Sequence, residues 1–254
     1  MRPQSAAVAL ASAWALAAAA SAEPITHDFA DGTAGPLTLH QQLTQEVGGT
    51  PVVVATVDFN EGRLVFSKKS AKDAGEGVKD APVVLAGTVQ AGAGVAGGFD
   101  LSVAMLPEKM DYSTAAVTLR AGAGDGKLTS GLGVSLVNTA PGHPAPYELR
   151  LLKGGDVLAT TVVTAASEQS TGFNPSASKR PLTLRLVATP EGGKLNLVAT
   201  LSDDRGRSAT VAAAAVDVAD VTGRWFGFRT GVTYNNNGYR VAFDDFSLTV
   251  PAAP

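Results

Sequence analysis

Short runs of alternating apolar and polar residues recur along almost the whole chain, and Gly, Pro, Asn or Asp separate them. The runs are residues 52–59, 63–67, 83–90, 99–106, 115–120, 133–138, 147–153, 157–164, 182–189, 194–202, 208–216, 225–233 and 239–250. An alternation of period two is typical of strands with one buried face. No stretch sustains a helical period. The pattern therefore predicts an all-β fold of two antiparallel sheets packed face to face.

In the last run, residues 239–250, the apolar positions shift by one residue partway along the strand. Apolar residues alternate up to Phe243 and again from Phe246, but the two series would point to opposite faces of a regular strand. One extra residue at Asp244-Asp245 removes this conflict, which predicts a β-bulge there. With the bulge, Phe243 and Phe246 both face the core.

Two turns are predicted from residues that tolerate positive φ. Glu191-Gly192-Gly193 separates two leucine-rich arms, so residues 182–201 are expected to form a core hairpin. Residues 235–238, Asn-Asn-Asn-Gly, are expected to form a second hairpin turn between the runs at 225–233 and 239–250. Residues 68–81, 139–146 and 167–180 are predicted loops, and they either carry function or are solvated insertions.

The amino end predicts a secretory signal peptide. Arg2 precedes an alanine-rich apolar stretch that is too short and weak for a stable membrane span, and Ala20-Ser21-Ala22 supplies small residues at the expected cleavage site. Cleavage near Ala22 would leave residues 23–254, which we expect to form one β-sandwich domain that is secreted, periplasmic or at the cell surface. No later stretch predicts a membrane span in the mature chain.

Charge and composition exclude several functions. The formal net charge is −3 and no basic patch is present, so nucleic acid is not an expected partner. The chain has no cysteine, which excludes disulfides and cysteine nucleophiles. The three histidines, His27, His40 and His143, are isolated and have no metal-ligand spacing. No G-x-S-x-G motif of a serine hydrolase occurs.

Three segments resemble parts of concanavalin A-like (laminin G-like) lectin and glucanase jelly rolls. They are the hairpin at 182–201, the strand Trp-Phe-Gly-Phe-Arg-Thr-Gly at 225–231 and the segment Phe-Asp-Asp-Phe-Ser-Leu at 243–248. The resemblance implies a jelly-roll β-sandwich. Glucanases of this family carry E-x-D-x-x-E on one strand, and no such motif occurs in this chain. No catalytic residue is therefore predicted, and the sequence favours a protein that is not an enzyme.

The same resemblance implies a structural Ca²⁺ site between an early acidic segment and the last strand. Its candidate ligands are Asp28, Asp31, Asp244 and Asp245. Carboxylate oxygens suit calcium. In the alternative interpretation, Asp28 and Asp31 form Asx turns, and the two bulge aspartates bond to backbone amides.

Sugar binding needs a flat aromatic ring together with directional polar groups. One cluster of such residues surrounds the second predicted turn: Trp225, Arg229, Tyr234, Asn235, Asn236 and Tyr239. In the alternative interpretation Trp225 packs under a loop and the asparagines only form a turn.

The resemblance and this cluster together predict an exported, non-catalytic carbohydrate-binding module whose partner is an extracellular or cell-envelope polysaccharide. Two other functions remain open: a polysaccharide hydrolase or lyase with an atypical site, and a structural or adhesive envelope module. The low aromatic content of 6% favours the structural module over a strong sugar binder.

Overall fold

A computed structural model describes residues 23–41, 44–47, 50–69, 83–110, 113–140, 146–164, 175, 180–235 and 238–251. The predicted signal peptide, Asn236 and most of the three predicted loops lie outside these residues. No helix in the described ranges is long and apolar enough to span a membrane.

The described residues form strands and one short 3₁₀ helix at Val95–Gly97. The strands are β1 (Ile25–His27), β2 (Thr38–Gln41), β3 (Thr44–Val47), β4 (Thr50–Val53), β5 (Ala55–Asn60), β6 (Arg63–Lys68), β7 (Val83–Gln90), β8 (Phe99–Lys109), β9 (Ser113–Ala123), β10 (Leu132–Asn138), β11 (Tyr147–Lys153), β12 (Asp156–Thr164), β13 (Leu182–Glu191), β14 (Lys194–Asp203), β15 (Ser208–Val216), β16 (Trp225–Asn235) and β17 (Tyr239–Thr249).

The strands assemble into two antiparallel sheets that pack as a sandwich. The eight-stranded sheet has the order β15-β14-β13-β8-β17-β6-β5, and β1 pairs with β17 beside β6. The seven-stranded sheet has the order β12-β11-β10-β9-β16-β7-β2. Strands β3 and β4 form a separate two-stranded ribbon. This architecture confirms the predicted all-β sandwich.

The bulge and the core hairpin are confirmed. The register between β17 and β8 shifts between Asp244 and Phe246, and Phe243 and Phe246 are both buried. Strands β13 and β14 pair from one end to the other across a turn in which Gly192 has φ 58° and Gly193 has φ 80°. The alternation of buried leucines along both arms explains why this hairpin lies against the core.

The second predicted hairpin, at residues 235–238, is wrong because β16 and β17 belong to different sheets. Strand β16 pairs with β7 and β9, whereas β17 pairs with β6 and β8. The connection therefore crosses between the layers. The crossing allows both strands to bury their aromatic faces against each other, and the ring centroids of Phe228 and Phe243 lie 4.4 Å apart in the core.

Candidate functional site

A row of polar side chains crosses the outer face of the eight-stranded sheet. The strand registers align one residue from each of six neighbouring strands: Thr26, Ser247, Ser102, Arg185, Thr200 and Thr210. Apolar residues on either side of them in β17, β8, β13, β14 and β15 pack in or against the core, so the row faces outward. At about 4.8 Å between strands, it extends roughly 24 Å. We call this set the hydroxyl row.

Neighbouring side chains hold parts of the hydroxyl row in place. The hydroxyls of Thr200 and Thr210 lie 3.4 Å apart. Arg185 Nε donates to Asp100 Oδ1 over 2.8 Å, and the Arg185 guanidinium makes a second contact with the other oxygen of that carboxylate. This ion pair neutralises the one charged member of the row.

A groove of about 510 Å³ lies at the β1 end of the hydroxyl row. Its oxygen-bearing lining side chains are Thr26, Asp28, Ser102, Thr183, Asp245 and Ser247. Hydroxyls both donate and accept hydrogen bonds, whereas ionised carboxylates accept them. The outer groove therefore presents several closely spaced groups that can bond to a ligand rich in hydroxyls.

The two aspartates of the β-bulge have different surroundings. Asp244 Oδ2 accepts from Arg63 Nε over 3.2 Å, and Asp244 Oδ1 accepts from the amide of Asp245. Asp245 has φ 31° and is exposed at the groove, and no side chain in the described residues bonds to its carboxylate. Since a non-glycine residue seldom adopts positive φ, the bulge holds this carboxylate at the groove at a cost in backbone energy.

Three of the four candidate calcium ligands, Asp28, Asp31 and Asp244, accept hydrogen bonds from the protein itself. Asp28 Oδ1 accepts from the amide of Ala30 over 3.1 Å, and Asp31 Oδ1 accepts from the amide of Thr33 over 2.9 Å. Hydrogen bonds from the Thr33 amide and hydroxyl lower the pKa of Asp31. Calcium takes about six to eight oxygen ligands. Among the described residues, no three metal-ligating side chains converge at one point.

Two residues of the predicted sugar cluster, Trp225 and Arg229, lie on the outer face of the seven-stranded sheet. The half-buried Trp225 packs against Leu128 and against small residues of the sheet, and the ring of His40 meets it edge-on at 6.2 Å. Arg229 Nη1 donates to the carbonyl of Leu128 over 3.2 Å. The loop at residues 124–131 therefore packs on Trp225, as the alternative interpretation expects.

Tyr239, a further member of that cluster, is not brought to the same surface. Tyr239 begins β17 in the opposite sheet, is 2% exposed and belongs to the core between the sheets. Burial raises the pKa of its hydroxyl well above the usual value, and the side chain of Thr230 opposes the shift. Tyr234 and Asn235 end β16, but the structure does not describe their side chains, and Asn236 lies outside the described residues.

Two polar residues near Arg229 were not predicted from the sequence. Arg120 is 8% exposed, and its Nη1 donates to the carbonyls of Gly131 and Gly154 over 3.2 Å and 2.8 Å. The buried Nε2 of His40 has no hydrogen-bond partner in the described structure. The alternation of Leu119, Arg120 and Ala121 predicts that Arg120 faces outward. The sequence pattern does not predict that other residues bury this side chain on the outer face.

Solved structures share this arrangement of sheets. The lectin of Bauhinia forficata, solved with GalNAc, matches with a TM-score of 0.55 at 10% identity, covering 89% of this chain and 97% of that chain. The metal-free lectin I-B4 of Griffonia simplicifolia matches with a TM-score of 0.51 at 12% identity, covering 89% and 98%. The chain has the concanavalin A-like jelly-roll fold.

This jelly roll also matches the CBM2 module of the evolved Dit of Lactobacillus casei BL23 phage J-1. The TM-score is 0.55 at 12% identity, covering 91% of this chain and 96% of that module. No family model matches the sequence, and no curated protein matches it. At these identities the likeness establishes the concanavalin A-like fold alone.

Proposed function

We propose that this protein is an exported module that binds carbohydrate without turning it over, through the hydroxyl row and the outer groove. The observation that carries the proposal is the groove lining, in which hydroxyls of Thr26, Ser102, Thr183 and Ser247 lie beside the carboxylates of Asp28 and Asp245. A sugar presents several hydroxyls at once, and each can exchange hydrogen bonds with such groups. The names of the matched lectins and the CBM2 module support the same function.

The shape of the surface favours a polysaccharide over a single sugar. The hydroxyl row extends over six strands, roughly 24 Å in all, and its members repeat at the spacing of the strands. An extended glycan lying across the strands would meet a polar side chain at each step. We propose an extracellular or cell-envelope polysaccharide as the partner, reached after removal of residues 1–22.

Binding of a panel of soluble polysaccharides, measured by affinity electrophoresis and calorimetry, tests the proposal. Thr183→Val removes one groove hydroxyl from an outward strand position and should weaken binding about fivefold, the equivalent of a hydrogen bond worth about 1 kcal/mol. Asp245→Asn should weaken binding by a similar factor. The matched control is Thr189→Val, which lies on the same strand outside the groove and should bind like the original protein.

Three results would contradict the proposal. Full affinity in both groove variants would show that the binding site lies elsewhere, and Trp225→Ala would be the next variant to test. Release of reducing sugar from a bound glycan would make the protein an enzyme. No binding across the panel would favour a structural envelope module.

A further inference from the structure

Two arginines lie close together on the outer face of the seven-stranded sheet, on the opposite side of the sandwich from the outer groove. In the register of β9 and β16, Arg120 pairs with Gly227 and Arg229 pairs with Thr118, so the two arginines are diagonal neighbours. Both point away from the core, because Leu119 and Phe228 between them are buried in it.

Neither guanidinium has a carboxylate partner within ion-pair distance in the described structure. Arg120 bonds to two backbone carbonyls through Nη1, and its buried Nε has no acceptor although the side chain is only 8% exposed. Arg229 bonds to one carbonyl. An arginine has five N–H donors, so several donors of this pair have no acceptor within the described protein residues.

The pair also carries uncompensated positive charge. Burial, followed by repulsion from Arg229, lowers the pKa of Arg120 to about 10, which still leaves it charged at neutral pH. Asp125 attracts Arg229, but the Asp125 carboxylate already accepts from the amide and hydroxyl of Thr129. One buried and one partly buried cation without a direct counter-charge are costly, and a bound anion would offset that cost.

A second unpartnered atom lies on the same face. His40 meets Trp225 edge-on, and its buried Nε2 has no hydrogen-bond partner in the described structure. Gly126 of the loop at 124–131 approaches that nitrogen so closely that a Cβ there would lie 2.4 Å from it. His40 lies three strands from Arg120 in the sheet, so the two nitrogens are separate unsatisfied atoms on one face. For Arg120 Nε, a water, ion or ligand group would supply the acceptor that the protein does not.

We propose that Arg120 and Arg229 form an anion-binding site that takes a carboxylate or sulfate group. The planar guanidinium fork matches two oxygens of such a group at once, which a point charge cannot do. This oxyanion site is separate from the outer groove and does not depend on the proposed function. Its ligand is either a free oxyanion or an acidic saccharide that carries one.

The fluorescence of Trp225 can report on the oxyanion site, because Leu128 touches both Trp225 and Arg229. The chain has two tryptophans, so the test protein is the full chain with Trp14→Phe. Sodium sulfate and sodium glucuronate are titrated at constant ionic strength against sodium chloride, with methyl glucoside as the neutral sugar. We expect a saturable change with at least one of the anions and none with methyl glucoside.

Arg229→Gln should weaken anion binding about tenfold or more, since it removes a charge-assisted hydrogen-bond donor. The control Arg240→Gln removes an arginine paired with Glu108 on the other sheet and should leave the affinity unchanged. Thr183→Val in the outer groove should also leave it unchanged. Similar affinities for sulfate and glucuronate would identify a free oxyanion as the ligand, whereas tighter binding of glucuronate would identify an acidic saccharide.

The proposal is overturned if neither anion gives a saturable change, if methyl glucoside gives the same change, or if Arg229→Gln binds as well as the parent. If Arg229→Gln does not fold, Arg229→Lys keeps the charge but loses the planar fork, and weaker anion binding is again expected. A rise in melting temperature with sulfate, at constant ionic strength, provides a second readout that does not use Trp225.

Discussion

At the scale of single residues, the close approach of Arg120 to Gly133 shows how the outer face of the seven-stranded sheet is built. Arg120 extends over β10 to reach the carbonyls of Gly131 and Gly154. A Cβ at position 133 would lie 2.7 Å from Arg120 Cδ and 2.7 Å from the carbonyl oxygen of Leu119. That oxygen belongs to the paired strand β9 and cannot move freely, so only glycine fits.

We therefore expect Gly133→Ala to lower the free energy of unfolding by about 1–3 kcal/mol, as overpacking does in other cores. Urea unfolding measures the change. Gly155→Ala is the matched control because no atom lies within 4 Å of the added methyl group, and its effect should stay within about 0.5 kcal/mol. Equal stability of the two variants would mean that Arg120 moves aside without cost.

Only part of the site can be predicted residue by residue. The alternation of Trp225, Gly227 and Arg229 correctly places the first and last on one outward face. Nearness in sequence predicts that Tyr239 joins them, but the chain crosses to the other sheet before Tyr239, which is buried there. Arg120 and His40 are distant in sequence from Trp225, and only the pairing of strands brings them together.

At the scale of elements, period-two patterns predict where a strand lies, which of its faces is buried and where it is bulged. The parity change at Asp244-Asp245 predicts the bulge because a slipped register would expose Phe246 and Leu248. The pattern does not say which strands become neighbours. The hydroxyl row depends on five separate registers, and no local signal encodes them. The largest separation is between Thr26 and Ser247, which pair although they are 221 positions apart in the chain.

The turn between β14 and β15 is expected to weaken in acid. Asp203 Oδ1 accepts from the amides of Arg205 and Arg207 over 3.0 Å and 2.9 Å, and Oδ2 accepts from Arg207 Nε over 2.7 Å. Desolvation of the carboxylate raises its pKa, but these hydrogen bonds outweigh it and lower the pKa of Asp203 below its ordinary value of 3.8. The unfolded chain then binds the proton more readily than the folded protein.

The stabilisation by Asp203 is therefore complete above pH 3.8 and is lost as the pH falls through the lower, folded-state pKa. Asp203→Asn should be less stable than the parent at neutral pH, and the difference should shrink in urea unfolding at pH values well below 3.8. Asp204→Asn, at the exposed neighbouring carboxylate paired with Arg180, serves as the comparison. A difference that stayed constant with pH would show that the asparagine acts through something other than charge.

At the scale of the whole molecule, stability rests on the core and on strand pairing. The chain contains no cysteine to form a disulfide. The first and last strands are joined by backbone pairing, with Ile25 opposite Leu248 and His27 opposite Phe246. Buried phenylalanines of β6, β16 and β17 pack against one another between the two sheets. These contacts close the sandwich through the protein's own residues.

We accordingly expect the melting temperature to be the same in millimolar calcium chloride and in excess EDTA, with magnesium chloride as the control for ionic strength. A calcium site saturated at about 1,000 times its Kd would add about 4 kcal/mol to the free energy of unfolding, which for a chain of this size corresponds to roughly 10 °C. A shift of that size is easily measured. Asp31 and Asp244 are already bonded to Thr33 and Arg63, and no three metal-ligating side chains converge among the described residues. A calcium-specific rise, abolished by Asp28→Asn or Asp245→Asn, would instead establish the calcium site that the sequence resemblance implies.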